Sequence, residues 1–221
     1  LQPFDPPAQP ISSTITSSDF KSFFAKWKEN TSTSPSGKHL GHYKALLSPA
    51  FLDDADLSAS ANRIIDLHVT LLNIAASHGS PFERWLQIVS VMIEKKAGNY
   101  QLNKLRTIHL FEADQNWLLG MTFGRRMVHG AEKQGHLHEG LWGSRPGRAA
   151  LDAILHKILS YEIARLTRTP LATFDNDAKS CYDRIVMVFA LMLCQKHGVP
   201  QSVCRMAAMG LLMAEYSIKT K

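Results

Sequence analysis

Four aromatic residues near the N-terminus recur at i, i+3, i+4 and i+7: Phe20, Phe23, Phe24 and Trp27. This spacing predicts one face of a short helix, with Ser18 as its N-cap. Residues 1–16 are rich in Pro, Ser and Thr, and we expect them to be extended or disordered. A polar loop is predicted over 31–47.

Helical spacing of apolar residues and end signals predict longer helices further along the chain. Residues 55–78 predict a helix that ends at Gly79, with Pro81 just beyond it. Apolar positions at helical spacing predict another helix after it: Phe82, Trp85, Leu86, Val89 and Ile93. Further helices are predicted over 112–133, 149–167, 183–196 and 201–214.

Strand signals are fewer. Gly98 and Asn99 predict a turn between two short strands within 94–111, which would form a hairpin. Residues 171–176 predict a short strand, and alternation at Tyr216, Ile218 and Thr220 predicts another. The expected fold class is therefore α+β, mostly helical, with a short hairpin and a partial antiparallel sheet.

Composition excludes several classes of protein. The chain of 221 residues is 45% hydrophobic and 20% charged, which is ordinary for a soluble globular protein. No apolar run approaches the roughly 20 residues that span a membrane, so no membrane partner is expected. The cysteines, Cys181, Cys194 and Cys204, have neither zinc nor disulfide spacing and indicate a reducing, intracellular compartment.

Positive charge is concentrated in one region. The net charge is +6, and residues 91–150 hold nine Lys/Arg against five Asp/Glu. Such a surface would attract a polyanion, although a merely soluble basic face is an equal alternative. His129, His136, His138 and Glu139 cluster in this region, but they lack helical HExxH spacing and a nearby cysteine. A solvated loop is favoured there over a zinc site.

Three carboxylates crowd the segment TFDNDAKSCYDRIV, residues 173–186: Asp175, Asp177 and Asp183. On a strand, Asp175 and Asp177 would project from the same side. Carboxylates of this kind suit Mg²⁺, which prefers hard oxygen ligands. The alternative is a solvated turn in which Asp183 caps the next helix, and this is favoured for Asp183. The pattern alone does not decide the role of Asp177.

Four segments in order resemble the reverse transcriptases of retroelements without long terminal repeats. They are SPSGKHLGHYKALL, KKAGNYQLNKLRTIHLFEADQNWLLGMTFGRRM, GLWGSRPGRAALDAIL and TFDNDAKSCYDRIV. The resemblance covers about residues 31–186. It implies the fingers and partial palm of a right-hand polymerase, with an N-terminal extension and short helix over 1–30, a fingers-like region over 31–170 and a truncated partial palm over 171–221.

The resemblance assigns metal and sugar contacts to the acidic segment. Asp177 matches the first metal-binding aspartate, and the carbonyl of Ala178 would help to hold the second Mg²⁺ (or Mn²⁺). Asp175 is a backup ligand. Tyr182 matches the aromatic residue beneath the sugar of the incoming nucleotide, which would favour deoxynucleotides.

Two further groups of residues are implied by the resemblance. Arg106 matches the fingers arginine that grips the triphosphate, and Lys95 or Lys96 would meet the same phosphates. Four residues of the third segment would contact the template strand through phosphate and sugar: Gly143, Arg145, Gly147 and Arg148. Trp142 precedes Gly143, whereas the family pattern places its aromatic after the glycine, which puts that aromatic's role in doubt.

The implied activity is RNA-directed DNA synthesis by two-metal nucleotidyl transfer, with an RNA template, a DNA primer and deoxynucleoside triphosphates as partners. After Asp183 the only acid is Glu215, so the second acidic palm motif and the thumb are missing. We therefore expect this chain alone to be inactive. Two alternatives remain: a decayed or domesticated remnant that binds nucleic acid or protein without catalysis, and an unrelated helical interaction domain.

Overall fold

The computed structural model describes residues 9–28, 35–176 and 184–219, without the side chains of Phe51, Leu52 and Asn103. The α-helices of these residues are α1 (Ser17–Phe24), α2 (Leu40–Ala45), α3 (Pro49–Leu52), α4 (Ala55–His78), α5 (Ala113–Leu119), α6 (Val128–Lys133), α7 (Ala150–Thr167), α8 (Met187–Lys196) and α9 (Gln201–Leu212). The strands are β1 (Gln87–Glu94), β2 (Leu105–Leu110) and β3 (Glu215–Lys219). Short 3₁₀ turns cover Glu83–Leu86 and Leu102–Lys104, and a π-helix, Gly120–Met127, joins α5 to α6. The prediction of a mostly helical α+β fold is confirmed.

The three strands form one mixed sheet in the order β2-β1-β3. The predicted hairpin is confirmed in its turn and its antiparallel pairing, with Ile93 opposite Arg106, but its first strand, β1, ends at Glu94, where the predicted range 94–111 begins. β3 pairs parallel with β1, with Lys219 opposite Val91. The prediction of a partial antiparallel sheet is therefore correct only for the hairpin. A parallel partner needs a long crossover, and the helices between β2 and β3 supply it.

The core lies around α4 and is rich in aromatic side chains. Phe24 stacks on Tyr43 with ring centroids 4.5 Å apart, and Phe20 meets Trp117 edge-on at 5.6 Å. Residues from all three predicted segments share this core, since Val203 of α9 is buried with them. The division into an extension, fingers and palm stays a prediction.

Helix α4 has the predicted bounds because both of its ends are capped. The Asp54 side chain accepts hydrogen bonds from the backbone N–H groups of Asp56 and Leu57. Gly79 ends the helix in the left-handed conformation, at φ 71°. A Cβ on Gly79 would lie 2.9 Å from the carbonyl oxygen of Ser202, so this glycine also allows α9 to approach.

The remaining helical predictions are confirmed with ends shifted by a few residues, over 113–133, 150–167, 187–196 and 201–212. β3 confirms the strand predicted around Tyr216 and Ile218, while Thr220 lies outside the described residues. Among the described residues, no helix has both the length and the apolar character needed to cross a membrane.

The helix predicted from Phe82 to Ile93 is wrong. The structure has one 3₁₀ turn there, followed by β1. Helical spacing was coincidental in this run, because β-branched residues at 88, 89, 91 and 93 favour a strand and lose side-chain freedom in a helix. Residues 171–176, all of them described, also form no strand, so the predicted alternation of Asp175 and Asp177 loses its basis.

Two local predictions near the N-terminus are also corrected. The N-cap of α1 is Thr16 rather than Ser18, because Thr16 and Asp19 form a reciprocal capping box. The predicted loop 31–47 contains α2, whose Leu40 and Tyr43 enter the core. The His39 side chain caps this helix by accepting a hydrogen bond from the backbone N–H of Gly41 at 3.0 Å.

Residues 9–16, which we call the N-terminal arm, lack regular structure, as predicted, but hydrogen bonds join them to residues far along the chain. The Ile11 amide donates to the carbonyl oxygen of Gly198 at 2.8 Å. The Asn73 side chain both accepts from the Ile15 amide and donates to its carbonyl, at 2.7 and 2.9 Å. Arg126 donates to two further carbonyls of this arm. The arm is therefore part of the fold.

Substituting Gly198 with alanine should destabilise the protein strongly. Gly198 has φ +88°, and a Cβ there would lie 2.3 Å from the carbonyl oxygen of Gln9. The left-handed backbone alone costs a residue with a Cβ about 1–2 kcal/mol, and displacement of the arm adds to that cost. Urea unfolding measures the loss.

Gly98→Ala is the matched control, because Gly98 has φ +80° but no atom within 4 Å of the Cβ position. It should show the backbone cost alone. Equal losses for Gly198→Ala and Gly98→Ala would mean that the contact with the arm contributes nothing.

Candidate functional site

The β1–β2 hairpin holds the residues predicted to bind triphosphate. Cross-strand partners project from the same face, and Ile93 is opposite Arg106. The backbone N–H of Lys95 donates to the carbonyl of Lys104 at 3.3 Å, which continues the ladder by one pair. β1 ends at Glu94, and extending its alternation past that residue puts Lys95 on the side of Arg106 and Lys96 on the other side. The sequence had left the choice between these two lysines open.

We call this the basic sheet face; its cations are Lys95, Lys104, Arg106 and Lys219. All four residues are exposed. Apolar side chains separate the cations, and Ile93 and Ile108 remain more than 40% exposed. Glu94 lies on the opposite face, where it accepts a hydrogen bond from the Gly98 amide. Four cations therefore lie on one face of the sheet, where they suit an anion, and the register also puts Glu215, opposite Gln87, on that face.

Arg145, predicted to contact the template, is buried in its own loop. Its Nε and Nη2 each donate to a carboxylate oxygen of Glu132 at 2.6 Å. Its Nη1 donates to the carbonyls of His138 and Leu141. The hydrogen bond from Arg145 also holds the pKa of Glu132 below its usual value. Template contact by Arg145 stays a prediction, and it would require the guanidinium to exchange these partners.

The rest of the predicted template segment is more open. Gly143 and Gly147 have no atom within 4 Å of their Cβ positions, so backbone there is accessible to a partner. Arg148 donates to the carbonyl of Glu139 at 2.8 Å and lies over the ring of Trp142, 5.0 Å from its centroid. Trp142 therefore packs on one of the predicted template residues, which the sequence did not indicate.

Hydrogen bonds to backbone groups also hold the loop that contains the clustered histidines. His138 accepts from the Gly140 amide through Nδ1 at 3.0 Å, and its carbonyl accepts from Arg145. Within residues 9–28, 35–176 and 184–219, no group of three His, Cys, Asp or Glu is arranged to hold a metal ion.

The acidic segment is only partly described. Asp177, Ala178, Tyr182 and Asp183 lie outside the described residues. Asp175 is described, and both of its carboxylate oxygens accept from Lys157 Nζ, at 2.6 and 2.7 Å. The side chain of Asp175 is 79% exposed, and such a surface ion pair stabilises by only about 0–1 kcal/mol. The role of Asp175 as a backup ligand stays a prediction, and no group of three ligands for a metal ion is found among the described residues.

Sequence reasoning missed a buried ionic cluster at the root of the hairpin. Arg84 Nη1 donates to Glu112 and Asp114, at 3.0 Å each, and its Nη2 also donates to Asp114. Both carboxylates are fully buried. Trp85 Nε1 donates to Asp114 at 3.1 Å, and the Ser36 amide donates to Glu112 at 2.8 Å. No local sequence signal marks this cluster, because Arg84 lies 28 and 30 positions before the two carboxylates that it binds.

The side chains of His68 and Lys38 complete the cluster. His68 Nε2 lies 3.7 Å from Asp114 Oδ2, and Lys38 Nζ lies 3.3 Å from His68 Nε2. Burial would raise the pKa of Asp114, but hydrogen bonds from His68 and Arg84 outweigh it and lower the pKa to about 2. Burial lowers the pKa of Lys38, whose ammonium lies over the Tyr43 ring. These groups are engaged with one another, so we assign the cluster a structural role.

Comparisons with known proteins leave the family unassigned. The chain matches no protein-family model and no curated protein. The reverse transcriptase resemblance therefore depends on the order of the four sequence segments.

Asp114 should make stability depend on pH in acid. Folding lowers its pKa from the ordinary value of 3.8 to about 2, so its contribution is full above pH 3.8 and is lost as the pH falls toward 2. A shift of this size corresponds to about 2 kcal/mol at 1.36 kcal/mol per pH unit. Urea unfolding at several pH values between 5 and 2 measures this loss.

Asp114→Asn should lower stability at pH 5 and flatten the decline toward pH 2. Asp175→Asn serves as the control, because this carboxylate is exposed and its removal should leave the decline in place. An unchanged acid slope in Asp114→Asn would exclude Asp114 as its source.

Proposed function

We propose that the chain is the fingers and the first part of the palm of an RNA-directed DNA polymerase of the reverse transcriptase type. Its partners would be an RNA template, a DNA primer and deoxynucleoside triphosphates. The observation that supports this most is the hairpin register, which, extended by one residue past Glu94, puts Lys95 on the exposed side of Arg106. Those are the two residues that the resemblance assigns to the triphosphate.

The hairpin geometry suits phosphate binding. Arg106 is on a paired strand, so its backbone is fixed while its guanidinium is exposed. A guanidinium fork can donate two parallel hydrogen bonds to phosphate oxygens, and the Lys95 ammonium adds a second charge on the same side. Together these residues would bind and orient the triphosphate from the fingers side.

The remaining assignments belong to the same proposal. Asp177 and the Ala178 carbonyl would hold Mg²⁺ or Mn²⁺, with Asp175 in reserve, and Tyr182 would lie beneath the sugar. Such ions would stabilise the charge that develops on the transferred phosphoryl group. Arg148 and the open backbone at Gly143 and Gly147 would meet the template, together with Arg145 if it exchanges its internal partners.

A binding role without catalysis is the second candidate, and one observation favours it. Glu215, the only acid after Asp183, accepts a hydrogen bond from Gln87 Nε2 at 2.8 Å on the sheet. Asp175 is likewise paired, with Lys157. Two-metal phosphoryl transfer needs several carboxylates at one place. We therefore propose that these 221 residues bind nucleotide or nucleic acid but do not polymerise.

Nucleotide binding tests the assignment of the sheet face. Arg106→Ala and Lys95→Ala should each weaken binding of a deoxynucleoside triphosphate with Mg²⁺. Loss of a hydrogen bond to a charged group costs about 1.5–3 kcal/mol, which is roughly 10- to 150-fold in Kd. Isothermal titration calorimetry measures the change.

Lys96→Ala removes the same charge from the opposite face and should leave this Kd nearly unchanged. Equal effects of Lys95→Ala and Lys96→Ala on this Kd would mean that the nucleotide is attracted by the positive charge of the hairpin in general and not bound at the face of Arg106. A wild-type chain with no affinity for the nucleotide would remove the triphosphate site altogether.

Primer extension separates the two candidates. The 221-residue chain, given an RNA template, a labelled DNA primer, all four deoxynucleotides and Mg²⁺ or Mn²⁺, should add no nucleotide. Extension that disappears in Asp177→Asn would instead show that these residues suffice for catalysis, and that the binding-only candidate is wrong.

A further inference from the structure

The tip of the hairpin, residues 95–104, has features that the triphosphate assignment does not use. Its base is closed by the pairing of Lys95 with Lys104, and a turn follows in which the Asn99 amide donates to the Lys96 carbonyl at 3.1 Å. Gly98 allows this turn with φ +80°, and its amide donates to Glu94 Oε2 at 2.7 Å. The tip is thus a shaped turn with its own hydrogen bonds.

The turn encloses a shallow open depression, lined by Lys96, Ala97, Gly98, Asn99, Tyr100 and Gln101. Tyr100 is 73% exposed, and Leu102 beside it is 83% exposed. Large side chains so exposed contribute little to folding, because little of their apolar surface leaves water. Their packing therefore gives no reason for an aromatic residue at this position.

The surrounding chemistry is that of a nucleobase and its phosphates. Tyr100 offers an open ring face for stacking, and the neighbouring Asn99 and Gln101 carry amides that can pair with polar base edges. Three lysines, Lys95, Lys96 and Lys104, stand within ten residues that include no acid. Glu94, the acid that directly precedes this segment in the sequence, accepts a hydrogen bond from the Gly98 amide.

We propose that the hairpin tip binds single-stranded nucleic acid, with Tyr100 stacked on an unpaired base and Lys96 on a flanking phosphate. A duplex offers phosphates but keeps its bases stacked on one another, so it would contact Lys96 but not the ring of Tyr100. The site goes beyond the proposed function, because neither Arg106 nor Asp177 takes part in it.

Fluorescence anisotropy with a labelled oligothymidylate, without nucleotide or metal ion, tests the proposal. Tyr100→Ala should raise the Kd by roughly 5- to 150-fold, the range that base–aromatic stacking supports. Tyr100→Phe keeps the ring and should bind like the wild type. Neither substitution should change the melting temperature much, since the side chain is mostly exposed.

The contribution of Lys96 is tested by the salt dependence of oligothymidylate binding. Lys96→Ala should reduce the slope of log K against log salt concentration by about 0.7 for a single strand. Lys133→Ala, which removes an exposed charge from α6, is the matched control and should leave the slope unchanged. Equal changes for the two lysines would overturn a site localised to the tip.

Heparin and a DNA duplex identify the class of ligand. Tyr100→Ala should leave binding to both unchanged, because neither presents a free base. An oligothymidylate Kd that is the same for Tyr100→Ala and the wild type would overturn the proposal, as would equal losses for Tyr100→Ala and Tyr100→Phe. The assay contains neither nucleotide nor metal ion, so failure of the polymerase assignment would be distinguishable from failure of this proposal.

Discussion

The buried carboxylates of Glu112 and Asp114 constrain this structure more than any other feature. Each carboxylate taken from water carries a penalty of several kcal/mol unless a cation and hydrogen-bond donors compensate it. Arg84 contacts both, while Trp85 and the Ser36 amide supply further donors. Because these groups come from separate segments, the segments must pack together for any of the charges to be tolerated.

The same cluster determines where the hairpin stands. Arg84 and Trp85 immediately precede β1, and Glu112 and Asp114 follow β2 closely, so the ion pairs close the root of the hairpin. The opposite end, residues 95–104, is exposed. A rigid buried root and an exposed basic tip are what an element needs if it is to present cations to a ligand at a fixed distance from the core.

The sequence predicted correctly those helices and turns that are determined by residues close to them in the chain. Helix α4 has caps at both ends, and the β1–β2 turn has Gly98, so both appear in the sequence. The run 82–93 failed because helical spacing and β-branched composition conflicted, and packing decided for the strand. The ion pair between Arg84 and Asp114 was not predicted, because the two residues lie 30 positions apart and no local pattern joins them. Arg145 was assigned to a template by its segment, whereas its partner, Glu132, lies 13 positions away.

Burial also changes the meaning of the charge count. Residues 91–150 contain only five acids, and two of them, Glu112 and Asp114, are buried against Arg84. A third, Glu132, is paired with Arg145. The cations of the hairpin are exposed, so the surface field of this region is more positive than its composition indicates. The proposed attraction to a polyanion therefore depends on the exposed cations and not on a catalytic carboxylate, so the binding proposal and the polymerase proposal stand or fall separately.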